Sequence, residues 1–454
     1  MDERLKYTLT EILEATGGRL LLRGADHFTG LSIDSRTIKP GELFIALRGE
    51  RFDGHNFVND ALQKANGAVV SYPPAIPVKG KSVIHVNNTL KALQGIARYR
   101  RLSRYVTVIG VTGTNGKTTT KEMISAVLKM RYRVLTSRGN LNNHIGVPLN
   151  LSMLDGQEIA VLEMGASQPG DINELCKIAR PDIGVVTNIG PGHLAGFGSL
   201  ETVRDTKLEI AGFVKRLILN NDDNMLRPEV PLIKKNGVDV VTFGISGSAD
   251  VRATDIRRTD SGISFRLHCG STTGVEVELP MLGLFNVYNA LAAASVSMLF
   301  SISEDYIVKA LSEFKGVPMR VERRQFRGAL VISDLYNANP ASMEEAIKEL
   351  VSLRKNRAIA VLGDMLELGA YEETAHRKIG QMLAELPVDV LVAVGQMMEY
   401  AAEEFLSISK SNKQCFIVQT PEEARRVLDS IVKDGDTVLI KGSRGMKLER
   451  ILEE

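Results

Sequence analysis

The chain has 454 residues, more than a single hydrophobic core normally supports, so about two to four domains are expected. Its hydrophobic fraction of 44% and charged fraction of 24% are typical of a globular protein and exclude a disordered one. The formal net charge of +2 gives no electrostatic reason to expect binding to nucleic acid or to an anionic membrane, so any anionic ligand must be held locally.

The sequence also indicates a location. No apolar run approaches the roughly 18 residues of a membrane-spanning helix, which predicts no membrane insertion. The three cysteines, Cys176, Cys269 and Cys415, are scattered and odd in number. This pattern is typical of reduced, buried thiols and not of disulfides or a zinc site. We therefore expect a cytoplasmic protein.

A small N-terminal unit of short strands and helices is predicted for residues 1–88. Residues 43–47 form a strand candidate, and polar side chains lie on both sides of it, with Ser35 and Arg36 before it and Asp53 and His55 after it. Such groups could hold a charged or sugar-bearing ligand. Ordinary turn chemistry explains the same segment equally well.

Residues 105–130 predict a phosphate-binding loop. The apolar, β-branched run 106–109 predicts a buried strand, and apolar residues at helical spacing predict a helix over 119–130. Between them lie Gly113, Thr114, Asn115, Gly116, Lys117 and Thr118. In such loops the backbone N–H groups turn toward an anion, the lysine neutralises the distal phosphates, and the threonine hydroxyl holds Mg²⁺.

The loop departs from the usual pattern at one position. A glycine is expected five residues before Gly116, where this chain has Val111, although Gly110 and Gly113 flank it. The alternative is a turn rich in glycine and threonine with a solvated lysine. We prefer the phosphate-binding interpretation because the strand and the helix lie where that function requires them.

Alternating strand and helix patterns continue to residue 315 and predict a parallel sheet covered on both faces. Strands are predicted at residues 159–162, 183–187, 217–219 and 238–242. Residues 251–282 alternate in shorter runs, which indicates antiparallel strands added to that sheet, and a helix over 286–299 closes the unit.

Three polar residues in this unit are candidates for the reaction centre. Glu163 ends the strand 159–162, where a carboxylate could bind Mg²⁺, although a solvated strand-end glutamate is the alternative. His193 lies in a glycine-rich loop after the strand 183–187 and is a possible ligand or an ordinary loop histidine. Lys207 lies in a helix predicted over 201–213, which Ser199 could cap, and its spacing alone indicates an exposed lysine.

A third unit, residues 316–454, again alternates. Strands are predicted at residues 330–333, 359–362, 390–394, 415–418 and 437–440, with helices at 343–353 and 422–432 among those between them. In open α/β sheets, ligands collect at the carboxyl ends of the strands. Polar or small residues occupy those ends here: Asp334, Tyr336, Asn337, Gly363, Asp364, Gly395, Lys441, Gly442 and Ser443.

Together with further motifs, these features make the sequence resemble the Mur ligases of peptidoglycan synthesis over nearly its full length. The matching motifs lie at residues 113–118, 139–143, 146–148, 163–165, 187–190, 336–340, 362–369 and 441–444. The runs Tyr-Asn-Ala-Asn-Pro and Gly-Asp-Met-Leu-Glu-Leu-Gly are similar to those of family members that join D-alanyl-D-alanine to UDP-N-acetylmuramoyl-tripeptide.

The resemblance implies a fold of three α/β domains. The first, residues 1–88, would bind the UDP-sugar. The second, residues 89–315, would be a central P-loop ATPase domain with a parallel sheet and appended antiparallel strands. The third, residues 316–454, would be Rossmann-like. It also implies an ATP-dependent amide ligase that works through an acyl phosphate, as a monomer acting on small molecules.

The resemblance further implies roles for individual residues. Lys117, Glu163, His193 and Lys207 would be catalytic, with Lys207 N-carboxylated so that it joins Thr118, Glu163 and His193 as a Mg²⁺ ligand. The UDP-muramoyl substrate would contact Ser35, Arg36, Asp53, His55, Asn140 and Asn143. Besides the loop, ATP would contact Asn286, Asn289, Arg320, Asp334 and Asn337. His376 matches a motif position to which we assign no role.

Two alternatives remain open at this point. One is another amide ligase of the same superfamily, such as the enzyme that adds the third stem residue or a folylpolyglutamate synthetase. The segments around Ser35 and His55 and the run 336–340 argue against it. The other is a nucleotide-gated switch or binding module. A switch needs neither Glu163 and His193 nor a second α/β unit, so these features argue against it.

Overall fold

The structure, a computed structural model, describes residues 7–50, 52–73, 79–259, 261–270, 273–409 and 412–453. Three α/β regions follow one another along the chain, each built around its own sheet. Within the described ranges, no helix is both long and apolar enough to cross a bilayer.

The N-terminal region contains β1 (Tyr7–Thr8), α1 (Leu9–Thr16), β2 (Arg19–Leu22), β3 (His27–Phe28), β4 (Leu31–Ser32), β5 (Leu43–Ile45), α2 (Val58–Leu62), β6 (Gly67–Val70) and β7 (Ser82–His85). The main sheet has the order β2-β7-β6-β5-β4, and β1 pairs with β3. Thr8 and Glu11 begin α1 with a capping box, which satisfies backbone N–H groups that the helix leaves free. The strand predicted at 43–47 is real but ends at Ile45.

The middle region contains α3 (Thr89–Leu102), β8 (Thr107–Thr112), α4 (Lys117–Leu128), β9 (Val134–Thr136), α5 (Gly146–Ser152), β10 (Ile159–Glu163), α6 (Asp171–Ala179), β11 (Ile183–Val186), α7 (Leu194–Phe197), α8 (Leu200–Leu208), β12 (Arg216–Asn220), α9 (Val230–Lys235), β13 (Asp239–Gly244), β14 (Val251–Arg258), β15 (Ile263–Cys269), β16 (Val275–Leu279), α10 (Leu284–Leu299) and α11 (Glu304–Ser312). Its sheet has the order β16-β15-β14-β13-β12-β11-β8-β10-β9.

The pairing within this sheet explains the sequence patterns. Strands β8 to β13 pair in parallel, whereas β15 pairs antiparallel with both β14 and β16, as predicted. Val108 belongs to the core on one face of the sheet, and Ile109 and Val111 belong to the core on the other. Because both faces are buried, β8 is apolar at successive positions instead of alternating with polar residues.

The C-terminal region contains β17 (Glu322–Phe326), β18 (Ala329–Asp334), α12 (Pro340–Ser352), β19 (Ala358–Gly363), α13 (Glu372–Glu385), β20 (Val390–Val394), α14 (Met398–Ile408), β21 (Gln414–Val418), α15 (Pro421–Ile431) and β22 (Thr437–Lys441). The sheet order is β17-β18-β22-β19-β20-β21, parallel except for the β17–β18 pair. The three cysteines are free thiols, but only Cys176 is fully buried, so the expectation of three buried thiols is wrong for Cys269 and Cys415.

Candidate active site

The phosphate-binding loop requires glycine at two positions. Gly113 has φ +136°, and a Cβ built there would lie 2.1 Å from Oγ1 of Thr187. Gly116, in the left-handed region at φ +79°, immediately precedes α4, and a Cβ there would lie 2.4 Å from Oδ1 of Asn289. Val111 lies within β8, where no turn is needed. The missing glycine of the usual pattern therefore falls in the strand, and the helix begins at Lys117 and not at residue 119.

Lys117 folds back over this loop. Its Nζ donates hydrogen bonds to the carbonyl oxygens of Gly113 and Thr114, both at 2.9 Å. Burial lowers the pKa of the Lys117 ammonium, and the nearby Glu163 carboxylate opposes that shift. The ammonium thus lies against the loop that would surround an anion, where a phosphate could replace the two carbonyl oxygens.

Glu163 presents one free carboxylate oxygen. It is buried at the end of β10, and its Oε1 accepts a hydrogen bond of 2.8 Å from Nδ2 of Asn142. Its Oε2 is buried and accepts no hydrogen bond from any residue that the structure describes. A buried carboxylate oxygen without a donor is costly unless a cation or another donor satisfies it, so this atom fits a metal ligand.

Asn142 is a functional residue that sequence reasoning missed. Asn140 and Asn143 were predicted from the same motif, but Oδ1 of Asn143 accepts hydrogen bonds from the N–H groups of Ile145 and Gly146 at the start of α5. Asn142 is the one that holds Glu163. The asparagine-rich run signals the site, but only the folded loop determines which amide reaches the carboxylate.

Lys207 is 3% exposed, so the prediction of an exposed lysine from spacing alone is wrong. The helix α8 ends at Leu208, a 3₁₀ turn over Glu209–Gly212 follows, and packing against α6 and α7 covers the side chain. Nζ donates to the carbonyl oxygen of Ala166 at 3.3 Å. Burial, with a contribution from the charge of Lys117, lowers the pKa of Lys207 to about 7, so the neutral amine is populated near neutral pH.

His193 meets a residue of the C-terminal region. Its Nδ1 lies 2.9 Å from Oε2 of Glu367, and its side chain remains partly exposed. Both residues have left-handed backbone, with φ +52° at His193 and +66° at Glu367. Burial lowers the pKa of His193, and the charge of Glu367 opposes that shift.

His376 fixes the loop that carries Glu367, which gives it a role that the sequence did not reveal. Its ring is fully buried, Nδ1 donates to the carbonyl oxygen of Glu372 at 2.7 Å, and Nε2 accepts from the N–H of Met365 at 3.0 Å. Ser443 Oγ accepts from the N–H of Leu366 at 2.9 Å. The loop after β19 is therefore held at Met365 and Leu366, the two residues that precede Glu367.

Asn286 and Asn289 lie in the first turns of α10 behind the loop. Asn286 Nδ2 donates to the carbonyl oxygen of Leu282 at 2.6 Å, and its Oδ1 accepts from Nδ2 of Asn289 at 2.9 Å. Oδ1 of Asn289 accepts from Oγ1 of Thr120 at 3.0 Å, which ties α10 to α4. The pair that the resemblance links with adenine is thus ordered by hydrogen bonds within the protein.

The C-terminal region contributes three of the predicted residues. The Arg320 guanidinium lies 4.0 Å over the ring of Tyr336 and donates to Oγ1 of Thr118 at 3.0 Å. Lys441, which is 1% exposed, pairs with Asp334 and donates to the carbonyl oxygen of Asn337 at 2.9 Å. Arg320 therefore connects this region directly to the phosphate-binding loop.

These residues surround one cavity of about 830 Å³ between the middle and C-terminal regions. The carboxyl ends of both sheets contribute to it, as expected for open α/β sheets. Its lining includes the predicted residues Gly113, Thr114, Asn115, Gly116, Lys117, Thr118, Asn140, Asn143, Glu163, His193, Lys207, Asn286, Asn289, Arg320, Asp334 and Asn337. Phe285 also lines the cavity, and Ser333 is buried in β18 next to Asp334.

The four predicted residues of the N-terminal region do not line this cavity. Arg36 is exposed and pairs with Asp34, which lowers the pKa of that carboxyl to about 2. His55 is buried, with Nδ1 against Oδ1 of Asp53 at 2.7 Å and Nε2 accepting from the N–H of Ser71 at 2.9 Å. Both ring nitrogens are therefore used within the fold.

Tyr72 adds to the contacts around His55 and Asp53, whereas Ser35 lies in another turn. The Tyr72 ring stacks on His55 at 4.0 Å, and its hydroxyl donates to Oδ2 of Asp53 at 3.1 Å. Ser35, half-buried, lies beside Arg36 in the turn after β4. Asp53, His55 and Tyr72 thus form an ordered polar cluster that does not line the cavity.

A metal ion in the main cavity would need ligands other than histidine, cysteine, aspartate and glutamate side chains alone. Among the described residues, no group of three or more histidine, cysteine, aspartate or glutamate side chains is arranged to hold a metal. The available donors are the free oxygen of Glu163, the imidazole of His193 and the hydroxyl of Thr118. Such a partial set fits Mg²⁺, which usually retains water and phosphate ligands beside one or two carboxylates.

Comparison with protein families identifies three matching segments. Residues 27–101 match the Mur ligase family catalytic domain, residues 111–297 match the Mur ligase middle domain, and residues 319–444 match the glutamate ligase domain of Mur ligases. The first segment covers most of the N-terminal region and extends into α3 of the middle region, and the other two fall in the middle and C-terminal regions.

Full-length relatives give the same result. The chain is 38% identical to a UDP-N-acetylmuramoyl-tripeptide–D-alanyl-D-alanine ligase of Bacillus subtilis (strain 168), over 99% of this chain and 98% of that protein. It is 34% identical to the ligase of the same name from Escherichia coli (strain K12), with the same coverage.

Solved structures agree with the fold. A crystal structure of MurF from Acinetobacter baumannii is 33% identical, with a TM-score of 0.89 over 99% of this chain and 98% of that one. A MurF ligase from Thermotoga maritima in complex with ADP is 31% identical, with a TM-score of 0.82 over 93% and 96%. The three-region α/β fold predicted from the sequence is confirmed, and the chain belongs to the Mur ligase family.

Proposed function

We propose that the chain joins D-alanyl-D-alanine to UDP-N-acetylmuramoyl-tripeptide and converts ATP to ADP and phosphate in the process. The names of the Bacillus subtilis and Escherichia coli relatives, which match over nearly the whole chain, support this substrate pair. The observation that carries the proposal is that Lys117, Lys207 and the unpartnered oxygen of Glu163 face one cavity that two α/β regions enclose.

ATP would bind with its phosphates in the glycine loop. The start of α4 supplies free N–H groups, and Lys117 supplies a positive charge that can leave the two carbonyl oxygens for a phosphate. The adenine would lie near Asn286 and Asn289, and Arg320, Asp334 and Asn337 would reach the nucleotide from the C-terminal region. The Thermotoga maritima relative was solved in complex with ADP, which supports the binding of an adenine nucleotide by this chain.

Mg²⁺ would be held by Glu163, His193, Thr118 and a modified Lys207. When bound, it would supply positive charge to the phosphate oxygens. Carbamylation would provide the missing ligand: the neutral amine of Lys207 attacks CO₂, an N–C bond forms, and the amine proton is released. The lowered pKa of Lys207, about 7, makes the neutral amine available for this addition.

The reaction would take two steps. A carboxylate oxygen of the tripeptide attacks the terminal phosphorus of ATP, the bond to ADP breaks, and an acyl phosphate forms. The free amine of D-alanyl-D-alanine then attacks the acyl carbon, loses a proton, and displaces phosphate to leave an amide. Lys117 and Arg320 would neutralise charge, and the enclosed cavity would exclude the water that could hydrolyse the acyl phosphate.

The remaining substrate contacts are proposed at the N-terminal side. Ser35, Arg36, Asp53 and His55 would form the surface for the uridine diphosphate end, and Asn140 and Asn143 would contact the muramoyl peptide nearer the reaction centre. We propose the domain limits 1–88, 89–315 and 316–454, and a monomer that works in the cytoplasm.

An ADP-release assay with a panel of substrates tests this function. We expect ADP only when UDP-N-acetylmuramoyl-tripeptide, D-alanyl-D-alanine and Mg²⁺ are all present. Turnover with UDP-N-acetylmuramoyl-dipeptide and a diamino acid, or with a folate and glutamate, would identify a sibling ligase instead. ATP hydrolysis that ignores both peptide partners would indicate a nucleotide-gated module.

A further inference from the structure

The phosphate-binding loop and helix α12 of the C-terminal region are joined by two side-chain amides. Asn339 Nδ2 donates to Oδ1 of Asn115 at 2.8 Å, and Asn115 Nδ2 lies 3.4 Å from Oδ1 of Asn339 in the return direction. The two residues are 224 positions apart in the chain. The contact therefore depends on how the C-terminal region is placed over the middle region.

The two residues are fixed on their own sides of this contact. The N–H of Asn115 donates to Oδ1 of Asn188 at 2.9 Å, and its carbonyl oxygen accepts from Oγ1 of Thr187 at 2.6 Å. Asn339 caps α12, because its Oδ1 accepts from the N–H of Ser342 at 2.9 Å. The backbone of Asn115 and the cap at Asn339 are thus each fixed within their own region, whereas the Asn115 side chain bonds only to Asn339 among the described residues.

The surfaces around the pair approach closely. A Cβ built at Gly190 would lie 3.7 Å from Cβ of Ala341, and one built at Gly192 would lie 3.9 Å from Nδ2 of Asn339. The start of α12 thus rests on the glycine-containing backbone that follows β11. This backbone also borders the phosphate-binding loop, since the N–H of Gly190 donates to Oγ1 of Thr114 at 2.9 Å.

We propose that Asn339 is a positioning residue that acts through Asn115: it holds the phosphate-binding loop and the C-terminal region together in the arrangement that binds ATP. Asn339 does not need to contact the nucleotide for this role. The amide pair forms when α12 docks, and it fixes the side chain of Asn115 in one orientation. The inference rests on the proposed ATP site and adds a residue to it.

The substitution Asn339→Ser distinguishes the positioning role from helix capping. Serine caps helices about as well as asparagine, but its side chain is too short to reach Asn115, so Asn339→Ser keeps the cap and removes the pair. Asn339→Ala removes both. We expect Asn339→Ser to unfold at the wild-type temperature and to raise the KM for ATP about tenfold, and Asn339→Ala to show the same KM change with a lower unfolding temperature.

A double-mutant cycle completes the test. In the Asn339→Ser background, Asn115→Ala should change the KM for ATP no further, because the pair is already lost. Small-angle X-ray scattering with a non-hydrolysable ATP analogue should give a larger radius of gyration for Asn339→Ser than for the wild type. A wild-type KM in Asn339→Ser, or additive effects of the two substitutions, would overturn the proposal.

Direct binding of the ATP analogue separates this proposal from the proposed function. If the wild-type protein does not bind the analogue, the proposed nucleotide site is wrong. If the wild type binds it and Asn339→Ser binds it equally well, the nucleotide site stands and only the role of Asn339 is refuted.

Discussion

Nδ1 of His193 lies 2.9 Å from Oε2 of Glu367, which joins the middle region to the C-terminal region, and both residues have a left-handed backbone. Non-glycine residues adopt that conformation at a cost of order 1–3 kcal/mol each, so the surrounding structure must hold them there. His376 and Ser443 hold the loop that presents Glu367. A metal-binding histidine usually donates its second ring N–H to a carboxylate, and Glu367 is placed to accept it.

Loss of this carboxylate should weaken metal use without unfolding the protein. We expect Glu367→Ala to raise the Mg²⁺ concentration that gives half the maximal rate about fivefold. This increase is smaller than the one expected for a buried carboxylate, because His193 and Glu367 are both partly exposed. The measurement is the rate of ADP release across a Mg²⁺ titration. Glu373→Ala, at an exposed glutamate of α13, is the matched control, and an unchanged titration in Glu367→Ala would exclude this role.

Removal of the loop lysine should stop phosphoryl transfer and leave the fold intact. Lys117→Ala deletes the ammonium that lies against the carbonyl oxygens of Gly113 and Thr114, so we expect turnover to fall by at least about two orders of magnitude. ADP release measures turnover, and circular dichroism verifies the fold. Lys129→Ala, at the exposed end of α4, should keep wild-type turnover. Near-normal turnover in Lys117→Ala would remove the loop from the mechanism.

Carbamylation of Lys207 predicts chemical rescue. Lys207→Ala should be inactive and should partly recover with short-chain carboxylic acids, which can replace the lost carbamate in the space beside Phe197. Lys215→Ala, at an exposed lysine, should be active and insensitive to the acids. Full activity of Lys207→Ala without an added acid would refute the carbamate.

The same lysine predicts a pH dependence that responds to CO₂. The pKa of Lys207 is lowered to about 7, so the amine becomes protonated as the pH falls below that value and can no longer add CO₂. We therefore expect wild-type activity to fall below about pH 7 and bicarbonate to restore part of it near that pH. A rate that does not respond to bicarbonate after CO₂ removal would contradict this.

Glycine at position 113 should be required for stability as well as for binding. Gly113→Ala places a Cβ 2.1 Å from Oγ1 of Thr187 in a backbone with φ +136°. Gly237→Ala also places a side chain on a backbone with positive φ, +86°, but its Cβ would have no atom within 4 Å. This variant therefore measures the backbone cost alone. We expect Gly113→Ala to lower the free energy of unfolding by about 2–4 kcal/mol and Gly237→Ala by about 1 kcal/mol, measured by urea denaturation. Equal losses would show that Thr187 moves aside freely.

Most of the sheet architecture could be predicted from the sequence, because buried parallel strands are apolar without interruption and the helices between them have a period of 3.6. Strand β20 has the predicted bounds, and most others differ by one or two residues. Strand β17 was not predicted: its sequence, Glu-Arg-Arg-Gln-Phe, is charged because it lies at the sheet edge and pairs only with β18.

The site was harder to predict than the fold. The glycine loop has a local signature, whereas the burial of Lys207 depends on α6 and α7, which contribute nothing to the pattern of its own helix. The roles of Asn142 and His376 depend on contacts made after folding, to Glu163 and to the backbone of Met365. Periodicity reports which face of an element is apolar, but not which polar atom it will meet.

The bond from Arg320 to Thr118 has a consequence for inhibition. Under the proposed function, a cation bound with ATP would use the hydroxyl to which Arg320 donates, so two positive groups would compete for Oγ1 of Thr118. A small molecule that stacked beneath Arg320 in place of Tyr336, or that bridged the guanidinium to Thr118, would favour Arg320 over the cation at this hydroxyl. Such a compound would slow turnover by delaying the movement of the Arg320 side chain. An excess of ATP would relieve the inhibition only as fast as the contact between Arg320 and Thr118 breaks.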